Sequence, residues 1–171
     1  MTNFVSISKL RTLNQTDIDH IDWSKSNIDV TKKTFRKWKQ SKPKDLDQKF
    51  LSAHEQEFKK MDCLTCANCC RTTSPIFRDA DIRRIAKHLR MKEAQFISLY
   101  LKMDEENDFV LRQSPCHFLG SDNKCSIYDV RPLACREYPH TDRKNMHQIL
   151  DLTIQNTLIC PAVSRIVQQL L

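Results

Sequence analysis

The eight cysteines are the residues of this chain best suited to chemistry, and half of them fall in one short stretch. The segment MDCLTCANCCRTT, residues 61–73, places four thiols within eight positions as C-x2-C-x2-C-C. Thiolates are strong ligands for zinc and for iron–sulfur clusters. The spacing therefore predicts a metal centre. The candidate ligands are Cys63, Cys66, Cys69, Cys70, Cys116, Cys125, Cys135 and Cys160.

This spacing leaves two metal chemistries open. Eight thiolates could form two zinc sites, but the later cysteines are separated by 8, 9 and 24 residues and contain no C-x2-C pair. An iron–sulfur cluster is often bound by C-x2-C-x2-C and a remote Cys-Pro, which the first three cysteines and Cys160 provide in part. Cys70 directly follows Cys69, so we expect the two thiols to point in different directions and to serve different centres.

Arginines close to the cysteines are candidates for supporting the metal centre. A guanidinium can offset the negative charge of a thiolate site and donate hydrogen bonds to sulfur. We expect Arg131 and Arg136 to act in this way, whereas Arg71 is equally consistent with a surface position. No Ser-His-Asp set, carboxylate pair or His-rich motif identifies a catalytic residue, so the catalytic residues are unknown and enzyme activity stays open.

The composition excludes several function classes. Gly120 is the only glycine, which argues against glycine-rich phosphate loops and the dinucleotide-binding fingerprint and favours helices. No stretch of about 18 apolar residues predicts a membrane-spanning helix. The first 17 residues lack the pattern of a signal peptide, so we expect a cytoplasmic protein with reduced thiols. The alternative, a disulfide framework, would require export.

Hydrophobic periodicity predicts a mainly α-helical fold with a small β-hairpin. We expect a compact, cysteine-rich single domain that is stapled by bound metal. Helices are predicted around residues 46–58, 78–91, 92–103 and 162–171, and one helical turn within 129–139. A short strand is predicted at 109–113. The segment 116–128 carries turn residues between two β-friendly pieces and predicts the hairpin.

The chain divides at the first cysteine. Residues 1–60 are predicted to form a basic helical extension packed on the domain, and residues 61–171 the cysteine-cluster domain. The stretch 31–44 has seven basic residues and no acidic one. We interpret it first as a solvated helix face with Phe35 and Trp38 packed inward. The alternative is nucleic-acid binding, with the cations on phosphates and these two rings stacked on bases.

The cysteine motifs together resemble those of the YkgJ-type cysteine-cluster family of bacterial zinc- or iron-chelating domains. The first family motif is C-x2-C-x2-C-C. The second, C-x-F-L, C-S-I-Y and R-P-x-x-C-R-x-[FY]-P, is matched within residues 116–139, and Cys160 resembles the closing cysteine. The resemblance covers about residues 61–163. Ala67 stands where many members have glycine.

The resemblance implies that the chain binds a zinc ion or an iron–sulfur cluster. A distant, longer relative is the flagellin lysine N-methylase, which implies an alternative: an iron–sulfur-dependent enzyme or redox protein with a protein substrate or partner. No residue pattern here transfers methyltransferase activity. A membrane partner is not expected.

Overall fold

The computed structural model describes residues 13–171. Residues 1–12 lie outside the described part, and they belong both to the predicted extension and to the segment searched for a signal peptide. The α-helices are α1 (Gln15–Ser26), α2 (Ile28–Ser41), α3 (Leu46–Phe58), α4 (Cys63–Cys66), α5 (Asn68–Thr72), α6 (Asp79–His88), α7 (Glu93–Tyr100), α8 (Leu133–Glu137), α9 (Leu150–Thr157) and α10 (Pro161–Leu170). Strands β1 (Leu101–Met103) and β2 (Phe109–Leu111) and short 3-10 helices at Tyr128–Val130 and Met146–Gln148 complete the fold. The predicted mainly helical architecture with a small hairpin is confirmed.

The described residues form two compact units. The helical unit consists of residues 13–62 and 138–171, and the cysteine unit consists of residues 63–137. Seven of the eight cysteines lie in the cysteine unit, and Cys160 lies in the helical unit.

In the helical unit, α10 packs against α1, α3 and α9, and α2 packs against α9. Helix α10 forms because Pro161 fixes the backbone of its first turn and apolar residues recur every three or four positions. Val163, Ile166 and Val167 are fully buried there, and Phe35 and Phe50 join the same core from α2 and α3. This core places the chain's last helix beside its first described helices.

A buried ionic group connects three helices of the helical unit. Arg165 of α10 donates from Nε to Glu57 Oε2 at 2.6 Å and from Nη1 to Asp17 Oδ1 at 3.1 Å. Gln169 Nε2 donates to the other oxygen of Glu57 at 2.7 Å. Hydrogen bonds to the two carboxylates raise the pKa of Arg165 although burial opposes this. The group keeps two buried carboxylates paired.

In the cysteine unit, α6 packs against α7, and α7 leads directly into β1. Ile85, Phe96 and Leu101 are fully buried in this core. The strands β1 and β2 pair antiparallel, with Leu101 opposite Leu111. The predicted strand at 109–113 is thus confirmed as β2. Its partner, β1, lies at the end of the segment 92–103, where only a helix was predicted.

The segment 116–128 is a compact loop, and its strand pairing is limited to a single bridge between Leu119 and Cys125. Gly120 N donates to Lys124 O at 2.8 Å and Ser126 N to Phe118 O at 2.9 Å. A Cβ on Gly120 would lie 2.7 Å from Asp122 Oδ1 and 3.3 Å from Lys124 O, so a larger residue there would require the Asp122 side chain and the loop backbone to shift. The turn was predicted correctly, but the flanking pieces do not form extended strands.

Within residues 13–171, no helix combines the length and the apolar composition that crossing a membrane requires.

Arg165→Met should lower the free energy of unfolding by about 3–5 kcal/mol, because it leaves buried carboxylates without their counter-ion. Urea denaturation followed by circular dichroism measures this. The matched control is Lys49→Met, which removes an ion pair with Asp45 whose side chains are 59% and 60% exposed. No measurable change is expected for the control, and equal effects of the two substitutions would contradict the role of the buried group.

Candidate metal centre

The first cysteine motif folds as two very short helices joined by one residue. Cys63 is exposed at the start of α4 and Cys66 is buried at its end. Ala67 adopts φ 48° and ψ 20°, the left-handed conformation that glycine adopts most readily. For an L-residue this conformation costs about 1–2 kcal/mol. The resemblance pointed to this position, and the structure gives the physical reason for glycine there.

Cys69 and Cys70 lie side by side on α5. Their sulfurs are 4.0 Å apart, so the two thiols do not diverge as expected for neighbouring residues. The hydrogen bond with Cys69 and the positive charge of Arg71 lower the pKa of Cys70 to about 7, although burial acts in the opposite direction. Cys70 is therefore prepared to act as a thiolate near neutral pH.

Backbone hydrogen bonds attach the first motif to the second. Cys116 N donates to Cys70 O at 2.8 Å, and Ser114 Oγ donates to Arg71 O at 2.6 Å. These bonds place the chain entering the 116–128 loop directly against α5. Cysteines separated by 46 positions are thereby held next to each other.

The side chain of Arg71 links the same two segments. Its Nη1 donates to Cys66 O at 2.5 Å, and its Nη2 donates to Oδ1 of Asn123. Asn123 in turn donates from Nδ2 to Leu64 O at 2.6 Å, and it is 5% exposed with φ 66°. Arg71 is thus a half-buried connecting residue whose described hydrogen bonds go to oxygen. Sequence reasoning did not single out Asn123, and its only signal was its place in the Gly-Ser-Asp-Asn turn.

Two tight turns of the second motif affect the acidity of its first two cysteines. Backbone hydrogen bonding from Phe118 and Leu119 acts to lower the pKa of Cys116, and that from Ile127 acts to lower the pKa of Cys125, in both cases against the effect of burial. In both turns the residue two positions after the cysteine is buried, with Phe118 5% and Ile127 2% exposed. The apolar anchor therefore fixes each turn, and the N–H groups favour a thiolate at each cysteine.

The thiols of Cys70, Cys116, Cys125 and Cys135 are electrostatic neighbours. Burial and the nearby charges of the other three together raise the pKa of Cys135 to about 12. Burial and the charges of Cys70 and Cys125 raise the pKa of Cys116 to about 11, and burial also raises that of Cys125. Four thiols that oppose each other's ionisation are suited to a cation that neutralises them.

The described cysteines do not form a complete metal coordination sphere. Among residues 13–171, no three His, Cys, Asp or Glu side chains converge closely enough to hold a metal ion. None of the eight cysteines, all of them described, forms a disulfide.

A comparison with protein families gives a match at this cysteine arrangement. The family model named CxxCxxCC, described as "Putative zinc- or iron-chelating domain", matches residues 62–158, which is more than half of the chain. The chain belongs to the CxxCxxCC family. The matched segment contains all seven cysteines of the cysteine unit and ends before Cys160. Comparisons with curated proteins and with solved structures give no match.

The arginines predicted to support the CxxCxxCC centre take different positions. Arg131 lies over the Tyr128 ring, 3.8 Å from its centroid, and donates to Tyr128 O at 2.7 Å. Its charge acts to lower the pKa of Cys125 and Cys135 against the effect of burial. Arg136 is exposed, and within residues 13–171 its side chain makes no hydrogen bond.

Asp81 and Arg84 of α6 hold the segment that leads to Cys135. Arg84 Nη2 donates to Asp81 Oδ1 at 2.5 Å and to Arg131 O at 2.9 Å, and Arg84 Nε donates to Val130 O at 3.2 Å. Asp81 Oδ1 also accepts from Leu133 N at 3.1 Å. Sequence reasoning missed both residues, because an Asp and an Arg in a helix normally indicate a solvated face.

Cys160 begins α10 in the helical unit, where it is partly buried against that unit's core. Its assignment as a metal ligand stays a prediction.

In the reduced, metal-free protein, iodoacetamide at pH 7 should label Cys70 well before Cys116 and Cys135. The thiolate is the nucleophile, and a pKa of about 7 leaves about half of Cys70 ionised, whereas pKa values of about 11 and 12 keep the other two protonated. Labelling of these two should rise only as the pH approaches about 11. Peptide mass spectrometry across the pH range measures each site. In urea the differences should vanish, and equal labelling of Cys70 and Cys135 in the folded protein at pH 7 would contradict the prediction.

Proposed function

We propose that this chain is a metal-binding protein whose cysteine unit holds a zinc or iron ion between the thiolates of Cys70, Cys116, Cys125 and Cys135. The observation that carries this proposal is that Cys116 N donates to Cys70 O at 2.8 Å, which holds the two motifs together where the thiols oppose each other's ionisation. Backbone hydrogen bonding at Cys116 and Cys125 acts to lower the pKa of both thiols, which favours the thiolates that a metal needs.

The donor set fits a divalent metal. Burying four neighbouring thiols keeps most of them protonated, but a bound Zn²⁺ or Fe²⁺ would deprotonate them and cancel their mutual repulsion. Four thiolates without an open position are typical of structural zinc sites, and the same ligands also suit iron. The metal would thus supply charge neutralisation and a cross-link between the two motifs.

Cys63, Cys66 and Cys69 remain candidates for a second centre. Their C-x2-C-x2-C spacing suits an iron–sulfur cluster, which is the alternative to a single zinc or iron ion as the bound group. Because thiols bind metal only when reduced, the proposal also places the protein in the cytoplasm.

Metal binding should be coupled to local folding. From residue 112 to residue 137 the only helices are Tyr128–Val130 and α8, so short-range hydrogen bonds and buried anchors keep the ligand loop in place. A metal that joins α5 to this loop would add a restraint that the bare chain lacks.

Replacing any one of Cys70, Cys116, Cys125 and Cys135 by serine should remove the tightly bound metal of this centre, because structural sites need all four thiolates. Metal content by mass spectrometry and the visible spectrum, both after anaerobic purification, measure this. Colourless protein with zinc indicates a closed zinc site, whereas sulfide and a band near about 400 nm indicate a cluster. The matched control is Ser126→Ala, next to Cys125 and exposed, which should keep the metal.

Serine variants that all retain the wild-type metal content would contradict the four-thiolate assignment. The same measurement on Cys160→Ser tests the predicted role of that residue, and retention of the metal there would remove Cys160 from the ligand set.

Chelation of the metal should raise amide hydrogen exchange throughout residues 112–137 while exchange in α10 changes little. The physical reason is that the ligand loop has few helical bonds of its own, whereas α10 is buried in the helical unit. Exchange followed by mass spectrometry with and without chelator measures this. Unchanged exchange in the loop after confirmed metal loss would show that metal and folding are not coupled.

A further inference from the structure

Four cations form one exposed face of α2, which we call the basic face: Lys32, Lys33, Arg36 and Lys37. All four side chains are exposed. Thr31 and Phe35, which are 2% and 0% exposed, mark the opposite, core-facing side of the helix. With 3.6 residues per turn, the four cations fall together on the outer side.

These cations form no ion pairs. Within residues 13–171, none of the four pairs with a carboxylate, although other lysines of the helical unit do. Lys39 pairs with Asp151 at 2.5 Å, Lys25 with Asp22 at 2.8 Å and Lys49 with Asp45 at 2.9 Å. The basic face is therefore a surface of uncancelled positive charge.

The spacing within the basic face is unfavourable for an isolated helix. Lys32 and Arg36, like Lys33 and Lys37, are four residues apart, and like charges at this spacing repel each other. Asp29 is the only acidic residue of α2. An anion bound across the face would turn this repulsion into attraction.

The charge continues beyond the helix end. Lys42, in the left-handed conformation with φ 45°, and Lys44 are both exposed. At a rise of about 1.5 Å per residue, Lys32 to Lys37 alone spans roughly 7 Å. A row of cations of this kind matches a repeating polyanion better than a single small anion.

The aromatic residues of the stretch determine how such a partner could be bound. Phe35 is fully buried and stacks on Trp38 with centroids 5.2 Å apart, and the partly buried Trp38 packs against the same core, as the first interpretation predicted. Phe35 is thus not available to stack on bases, and the Trp38 ring already contacts the rings of Phe35 and Phe50. Because the apolar side of α2 faces the core, the helix also lacks the free apolar face with which interfacial helices enter a bilayer.

We propose that the basic face binds the phosphate backbone of duplex nucleic acid without reading its sequence. Contacts to phosphate alone give an affinity that depends on charge and salt, and nothing in the face selects a base. This proposal does not depend on the metal centre.

The test is fluorescence anisotropy of a fluorescein-labelled DNA duplex of about 20 base pairs, titrated with the full chain between about 50 and 200 mM salt. The variant replaces all four residues of the basic face by glutamine. Because each phosphate contact contributes about 0.9 to the slope of log K against log salt, the slope should become shallower by about three to four. The matched control carries the same charge change elsewhere, at the exposed residues Lys87, Arg90, Lys92 and Lys102.

Binding by the wild type and the control, with a weaker and less salt-dependent interaction for the basic-face variant, supports the proposal. Circular dichroism should show both variants folded, since all the changed side chains are exposed. The absence of wild-type binding at the lowest salt, or equal losses in the two variants, would overturn it. Binding to phosphatidylserine vesicles through the same residues, without any binding to the duplex, would also overturn the proposal.

Discussion

Mutual repulsion between half-buried thiolates is the constraint that governs the cysteine unit. Cys70, Cys116, Cys125 and Cys135 are close enough that the charge of each opposes the ionisation of its neighbours. Backbone hydrogen bonding in the turns at Cys116 and Cys125 nevertheless acts to lower the pKa of both thiols. Burial thus favours neutral thiols while the turns favour thiolates, and a bound cation satisfies both conditions. The CxxCxxCC family description fits this balance.

Polar side chains position the cysteines of the cysteine unit where regular secondary structure is sparse. Arg71 and Asn123 connect α5 to the loop that carries Cys116 and Cys125, and Asp81 with Arg84 fixes the approach to Cys135. Each of these groups uses buried or half-buried hydrogen bonds to backbone atoms, which are directional and costly to leave unsatisfied. The segment 112–137 is therefore held from two sides by polar side chains.

The sequence was informative wherever one local pattern decided the structure. The stripes that became α6 and α10 bury the residues their periodicity indicated, and the cysteine motifs were sufficient to identify the family. The sequence was less informative where contacts between distant segments decide the structure. The 116–128 loop was expected to form strands, but most of its backbone N–H groups donate to carbonyls of tight turns within the loop, as Leu119 N does to Cys116 O. Asp17 and Arg165, 148 positions apart, belong to one ionic group, and no local signal indicates such a pairing.

The insertion of the cysteine unit between the two segments of the helical unit has a consequence for folding. The core around Phe35 and Phe50 is completed only by α9 and α10, so it depends on contacts of long sequence separation. Such contacts form slowly, because the intervening chain must first be closed into a loop. During synthesis, which proceeds from the N-terminus, residues 63–137 are all made before α10. The cysteine segment can thus reach its own local fold, and take up metal, while the helical unit is still waiting for its last helix.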